Sequence, residues 1–231
     1  MLAWIDYRMQ FLDELLRHDG LQDRTSPPPC SNCLDEPGVY KCLDCNALSS
    51  HCTECIVWRH DEMPLHRIEV CRSALHFFLP ITFAQVWSDG FFQRTSLFEL
   101  GFSLHIGHQR TSCPSPDSTF QKILVIDVNG AHYVSVQFCA CKELPGWIEY
   151  YRQLLRMKWY PASLDRPKTA FTFDLLDTYH KLALQGKLSV HDFFAAVMQK
   201  SDNCGRRKVI VSKSVYFHPR CLIYSTLASI S

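Results

Sequence analysis

Lys122-Ile-Leu-Val-Ile-Asp-Val128, then Asn129-Gly130, then Ala131-His-Tyr-Val-Ser-Val-Gln-Phe138 is the stretch on which the fold turns. Two apolar runs rich in β-branched residues flank Asn-Gly, the dipeptide that most readily takes the positive φ angles of a two-residue hairpin turn. The spacing predicts an antiparallel hairpin pairing Val128 with Ala131, Asp127 with His132 and Val125 with Val134. Asp127 facing His132 reads as a cross-strand contact on a half-buried face.

Beyond the hairpin the period changes. Trp147, Ile148, Tyr151, Leu154, Leu155, Lys158 and Trp159 follow helical spacing up to Pro161. Phe173, Leu176, Tyr179, Leu182 and Ala183 predict a second helix closed by Gly186, and Ser189 with Asp192 starts a third that turns Phe193, Phe194 and Val197 inward. Upstream, residues 91–106 read as a helix, with Ser96-x-x-Glu99 as a capping box ahead of Leu100 and Leu104. Ile5, Met9, Leu12 and Leu16 mark one face of an N-terminal amphipathic helix that stops at Gly20, and Pro27-Pro28-Pro29 is a stiff spacer. From Gly205 the composition shifts. Arg206, Arg207 and Lys208 follow with no acid after them, and residues 209–231 show neither period.

The 231 residues are 47% hydrophobic and 20% charged, a composition that folds and excludes disorder over most of the length. With 24 basic and 23 acidic residues, net charge is +1, so no global electrostatic case for nucleic acid exists. No apolar run approaches the ~18–20 residues of a membrane helix. Asp6 and Arg8 interrupt the N-terminal apolar stretch, which excludes a signal peptide. The expectation is an intracellular chain with reduced cysteines.

Twelve cysteines then favour metal over disulfides, and seven of them fall between Cys30 and Cys71. The pattern Cys30-x2-Cys33-x8-Cys42-x2-Cys45-x6-Cys52-x2-Cys55-x4-His60-x5-His66 offers eight ligands, enough for two tetrahedral Zn2+ sites. Each C-x2-C pair supplies half a site. Pairing first with third and second with fourth gives a cross-brace: Cys30, Cys33, Cys52 and Cys55 on one zinc, Cys42, Cys45, His60 and His66 on the other. A sequential pairing stays open, and His51 is the alternative histidine. Four protein ligands leave no open position, so both sites read as structural. The residues admit a third zinc downstream, where Cys139-Ala-Cys141 ends the hairpin. His108 and Cys113 are the better partners for it, His105 the runner-up, and His132 points to the other face. The competing reading is ordinary reduced cysteines near a sheet end.

Other chemistry finds little support. Asp127 could be one carboxylate of an RNase H-like site, but no partner acids are nominated. Cys71, Cys204 and Cys221 lack the base that a nucleophile needs. The nine glycines form no phosphate loop. Arg152, Arg156 and Lys158 read as a solvated helix face.

The order of motifs carries a resemblance. Cys30-Ser-Asn-Cys33, Tyr40-Lys-Cys-Leu-Asp-Cys45, Cys52-Thr-Glu-Cys55 and Pro64-Leu-His-Arg-Ile68 come first. Leu100-Gly101, Gly107-His108, Cys113-Pro114, the hairpin and Phe138-Cys-x-Cys141 come next. Gln153-Leu-Leu-Arg156, Trp159-Tyr-Pro-Ala162, Thr169-Ala-Phe-Thr-Phe173 and Asp202-Asn203 complete the series. Over residues 25–204 the set resembles the second kind of CxC-type cysteine cluster domain, found at the front of KDZ transposases in mushroom-forming fungi. The first cluster also resembles a type-1 B-box. The resemblance implies a zinc-stabilised accessory region for DNA or protein contact, with an RNase H-like catalytic part downstream. This chain stops before that part, so it is not expected to be an enzyme. The departure near Gly205 fits a truncated or relic copy.

The sequence thus predicts an α+β fold, a small zinc-bound cross-brace followed by a β-hairpin and a helical layer. Residues 1–26 are the N-terminal helix and linker, 27–70 the two-zinc cluster, 71–204 the hairpin and helices of the transposase-associated domain, and 205–231 a divergent tail. The expected partner is DNA or a protein in the nucleus, with no small-molecule substrate and no membrane. The alternative is a B-box-like interaction module of the ubiquitin-ligase type, which expects a RING-like cluster upstream and a long heptad helix downstream.

Overall fold

The computed structural model describes residues 5–19, 27–46, 49–71, 92–108, 113–141 and 149–201, and forms two compact units, Met1–Leu100 and Gly101–Ser231. The fold is α+β. Trp147, Ile148, Asp202, Asn203, Cys204, Cys221, Arg206-Arg207-Lys208 and the tail from Gly205 lie outside the described residues. Among the described residues no helix is long and apolar enough to cross a membrane.

In the first unit a 3-10 turn, Ile5–Tyr7, leads into α1, Arg8–Asp19, on which Met9, Phe11, Leu12, Leu15 and Leu16 are exposed. β1 (Tyr40–Cys42), β2 (Ile68–Cys71) and β3 (Phe92–Thr95) then form an antiparallel sheet in that order. Tyr40 pairs with Val70 and Cys42 with Ile68. The short helix α2, Thr53–Arg59, lies between β1 and β2 in sequence and buries Cys55 and Ile56. Val39, Tyr40, Ile56, Ile68, Val70 and Cys71 are the buried apolar residues of residues 27–71 beyond the ligand cysteines. That is a small core.

The helix expected over 91–106 is not formed. Residues 92–95 are β3, and the chain re-enters a strand, β4, at Ser103–His105. The reciprocal capping bonds do form: Ser96 N–H donates to Glu99 Oε2 at 3.2 Å and Glu99 N–H to Ser96 Oγ at 3.2 Å. They close one isolated turn. Period two governs residues 102–106, because Phe102, Leu104 and Ile106 are buried while Ser103 and His105 alternate with them. The Leu100–Leu104 spacing that suggests a helix is incidental to this alternation.

The second unit is built on a five-stranded mixed sheet ordered β4-β6-β5-β8-β7, where β5 is Pro116–Asp127, β6 Gly130–Cys139, β7 Trp159–Pro161 and β8 Thr169–Thr172. β5 and β6 are the antiparallel hairpin; β4 runs parallel beside β6, β8 parallel beside β5, and β7 antiparallel to β8. β5 is central, so Ile123, Leu124, Val125 and Ile126 are buried in an unbroken run.

The hairpin turns one residue earlier than Asn-Gly predicts. Asp127 pairs with Gly130, Val125 with His132 and Ile123 with Val134, leaving Val128 and Asn129 in the turn. Partners move by two, so each side chain keeps its expected face. The expected Asp127–His132 contact is replaced: Thr172 Oγ1 donates to Asp127, and His132 Nε2 lies 2.7 Å from Asn129 Oδ1. The tip is held from α5 (Val190–Ser201). Ala131 N–H donates to Ser201 Oγ at 2.6 Å and Lys200 Nζ to the Val128 carbonyl at 2.8 Å. A Cβ at Gly130 would lie 2.6 Å from Ser201 Oγ, so this close approach needs glycine.

α3 is shorter than the helical spacing suggests, Tyr150–Arg156, and Trp159 belongs to β7. Lys158, at φ 58°, breaks the helix, and buried Trp159 pairs with Thr172 across the sheet. Pro161 is tolerated because β7 is an edge. α4 (Phe173–Gly186) and α5 agree with the helical periods of the sequence. Thr172 caps α4 by accepting from Leu175 N–H, and Ser189 caps α5 by accepting from Asp192 N–H, both at 3.1 Å. Their apolar stripes, Leu175, Leu176, Phe193, Phe194 and Val197, cover Leu124, Ile126 and Phe171 of the sheet. Each such side chain contributes roughly 1.5–3 kcal/mol when fully buried.

Candidate metal centres

Three groups of four side chains converge, each with its ligand atoms within 4.8 Å of one another: Cys30, Cys33, Cys52 and Cys55; Cys42, Cys45, His60 and His66; His108, Cys113, Cys139 and Cys141. The first two are interleaved, and α2 serves both. Cys52 is its N-cap and Cys55 lies in its first turn, while His60 is its C-cap.

At the first centre Cys30 and Cys33 sit on a tight turn in which Leu34, at φ 65°, donates to the Cys30 carbonyl at 3.0 Å. Cys33 Sγ and Cys52 Sγ are 3.9 Å apart. Asn32 supports two sulfurs: its backbone N–H donates to Cys30 Sγ at 3.4 Å and its side-chain amide to Cys55 Sγ at 3.3 Å.

The second centre joins the end of β1 to the loop before β2. Cys45 Sγ lies 3.5 Å from both His60 Nε2 and His66 Nδ1, and Cys42 Sγ lies 3.4 Å from His66 Nδ1. Buried His60 donates its Nδ1–H to the Ile56 carbonyl at 2.7 Å, which fixes the tautomer and presents Nε2 to the cluster. The neighbours of two ligands are tied together as well. The Arg67 guanidinium meets Asp44 Oδ1 at 2.6 and 3.0 Å, and Arg67 N–H donates to Asp44 Oδ2 at 2.6 Å. Burial opposes ionisation of Asp44, but these bonds hold its carboxyl below the ordinary range.

The third centre gathers the loop after β4, the segment before β5 and the end of β6. His108 Nε2 is 3.0 Å from Cys139 Sγ and 3.3 Å from Cys141 Sγ, and Cys113 Sγ is 3.5 Å from Cys141 Sγ. The strand ends at Cys139, with Cys141 just past it. Of the other histidines, His105 packs edge-on against Phe120 and His132 bonds Asn129. His51 is buried with Nε2 3.0 Å from Ser49 Oγ, apart from the clusters. Cys71 is buried in β2 and joins none of them.

The donor sets fit a tetrahedral ion. Bonds of ~2.3 Å to sulfur and ~2.0 Å to nitrogen imply edges of roughly 3.8 Å between two sulfurs and about 3.5 Å between sulfur and nitrogen. Seven of the ligand-atom pairs lie 3.0–3.9 Å apart, and all lie within 4.8 Å of one another in each cluster. Burial pushes Cys52 and Cys42 up to about 12 and Cys139 up to about 11. Burial also opposes the Cys30 and Cys141 thiolates, yet hydrogen bonds from backbone and neighbouring ligands bring them down to about 5 and about 7. Thiols packed so closely cannot all ionise unless a cation compensates them.

One supporting residue carries no spacing signal. Gln153 of α3 is fully buried, accepting from Cys139 N–H and donating to the Cys139 carbonyl, both at 2.9 Å. Asn32, Asp44 and Arg67 are likewise invisible to a search for ligand spacing, although each touches a ligand or its neighbour.

The described residues thus carry three clusters of cysteine and histidine on an α+β frame. Residues 97–205 match the family of CxC2 like cysteine clusters associated with KDZ transposases, and over those residues the resemblance read from the sequence is borne out. His108, Cys113, Cys139 and Cys141 fall inside the match; the ligands of the first two centres precede it. No curated protein and no solved structure matches the chain.

Proposed function

We propose that the three clusters hold structural Zn2+ and that the chain is a non-catalytic accessory region of a KDZ-type transposase, contacting DNA or a partner protein in the nucleus. One observation carries this reading: every converging metal-ligand group among the described residues is built from cysteine and histidine alone, four per group. Such a set favours zinc and leaves no coordination position for a substrate or an activated water. Transposition chemistry would instead need carboxylates on divalent metal. Asp127, the acid that could have served there, accepts a hydrogen bond from Thr172 and belongs to no metal-ligand group among the described residues.

A second reading has its own support. The interleaved first two centres, sharing α2, precede the matched residues and suit a B-box-like interaction module. A labelled duplex titrated with zinc-loaded chain at several salt concentrations separates the two. DNA contact expects log K to fall linearly with log salt, by about 0.9 per phosphate neutralised. No binding, or a flat response, removes DNA as the partner and leaves the protein-contact reading. Elemental analysis of the reduced chain tests the metal itself, with three zincs expected.

A further inference from the structure

Gln153 meets the third centre at the edge of the sheet. β4 pairs with β6 as far as His105 opposite Gln137, and Ile106 N–H still donates to the Gln137 carbonyl at 3.0 Å. The next outward-facing peptide groups on that edge belong to Cys139. By then the chain has left the ladder at Gly107, which takes φ +107° and carries His108 to the sulfurs. Unpaired, the N–H and C=O of Cys139 would be buried polar groups without partners, which is costly. Gln153 reaches in from α3 and makes both bonds, donor to carbonyl and acceptor to N–H, as a further strand residue would.

The fit leaves no slack. A Cβ on Gly107 would stand 2.4 Å from Cys139 Cβ and 2.9 Å from Gln153 Oε1. Gly107, Cys139 and the Gln153 amide therefore interlock where one ligand leaves the sheet and another ends it. A carboxamide holding the peptide groups on both sides of the Cys139 Cα fixes that residue's orientation, hence the direction of its Cα–Cβ bond and the position of Sγ.

We propose that Gln153 is a positioning residue for the third metal centre, taking the place that β4 gives up beside Cys139 so that its sulfur is set for the ion before the ion arrives. The inference rests on the reading that this cluster binds zinc. Partners beyond the ligands typically alter metal affinity ~10–100-fold when removed.

The test compares the full chain with Gln153→Met and Gln153→Glu, alongside Cys139→Ser/Cys141→Ser to identify the third ion. Zinc is competed against a chromophoric chelator, and Co2+ absorption of the third centre is read by subtracting the double-serine variant. Gln153→Met is expected to weaken one of three ions by ~10–100-fold and shift its Co2+ ligand-field bands, leaving the other two as they were. Gln153→Glu keeps an acceptor for Cys139 N–H, loses the donor to the carbonyl, and should fall between. A third ion held with unchanged affinity and spectrum in both variants overturns the proposal. Loss of folding with all three ions in both variants overturns it too, since Gln153 is then a packing residue. A parent chain that takes up only two zincs, like the double-serine variant, is the distinct failure of the third centre itself.

Discussion

Asp44 sits between Cys42 and Cys45, and Arg67 follows His66, so their ion pair ties together two ligand-bearing segments that are 23 residues apart. The pair is mostly shielded, bidentate, and reinforced by the Arg67 backbone. Asp44→Ala strands the guanidinium and one N–H, and should lower the stability of the zinc-loaded chain by about 1–3 kcal/mol in denaturant unfolding. Arg67→Lys keeps the charge but not the fork and should recover only part of that. Parent-like unfolding of Asp44→Ala would show that the clamp contributes nothing. The contrast with the ligands is physical. A ligand pair announces itself because two sulfurs on one turn need C-x2-C, whatever the rest of the fold does. Asp44, Gln153 and Asn32 act through partners 23, 14 and 23 residues away, and no local pattern encodes such a distance.

Elements were legible where local and tertiary demands agreed. α4 and α5 each carry a capping residue and an apolar stripe, and the sheet face beneath them accepts that stripe. Over residues 91–106 the demands diverge: the Ser96–Glu99 box is satisfied in a single turn, and the flanking segments pair with β2 and β6. The hairpin was legible in face but not in turn. Asn-Gly favours its own two-residue turn, yet docking on α5 requires Gly130 inside the ladder against Ser201. Gly130→Ala should therefore cost roughly 1–3 kcal/mol, combining a φ of +138° with the contact at Ser201. Ser201→Gly in that background should return the steric part and leave the backbone strain, once the loss of the Ala131 N–H bond to Ser201 Oγ is taken from Ser201→Gly alone, each read as a midpoint in urea. A Gly130→Ala protein within about 0.5 kcal/mol of the parent would mean that the tip undocks freely.

The two units should depend on metal to different degrees. Residues 30–71 bury few apolar side chains, with α2 a seven-residue helix that is too short to persist alone. Their two clusters place all eight ligands on turns, helix ends and one strand end, so the ions would supply the cross-links that a core otherwise provides. The second unit has a five-stranded sheet whose central strand is buried through Ile123–Ile126, with α4 and α5 packed over Leu124, Ile126 and Phe171. Here the third cluster joins loops at one end of the sheet and leaves most of that packing untouched. Chelation of the reduced chain, followed by amide hydrogen exchange, should then abolish protection in β1, α2 and β2. β5, β8 and α4 should stay protected, with loss confined to the ends of β4 and β6 near His108 and Cys139. Stripping one unit while sparing the other's core would place structural metal where the apolar core is smallest. Equal, simultaneous loss in β5 and β8 would sink this view, because the sheet would then be as metal-dependent as the cross-brace.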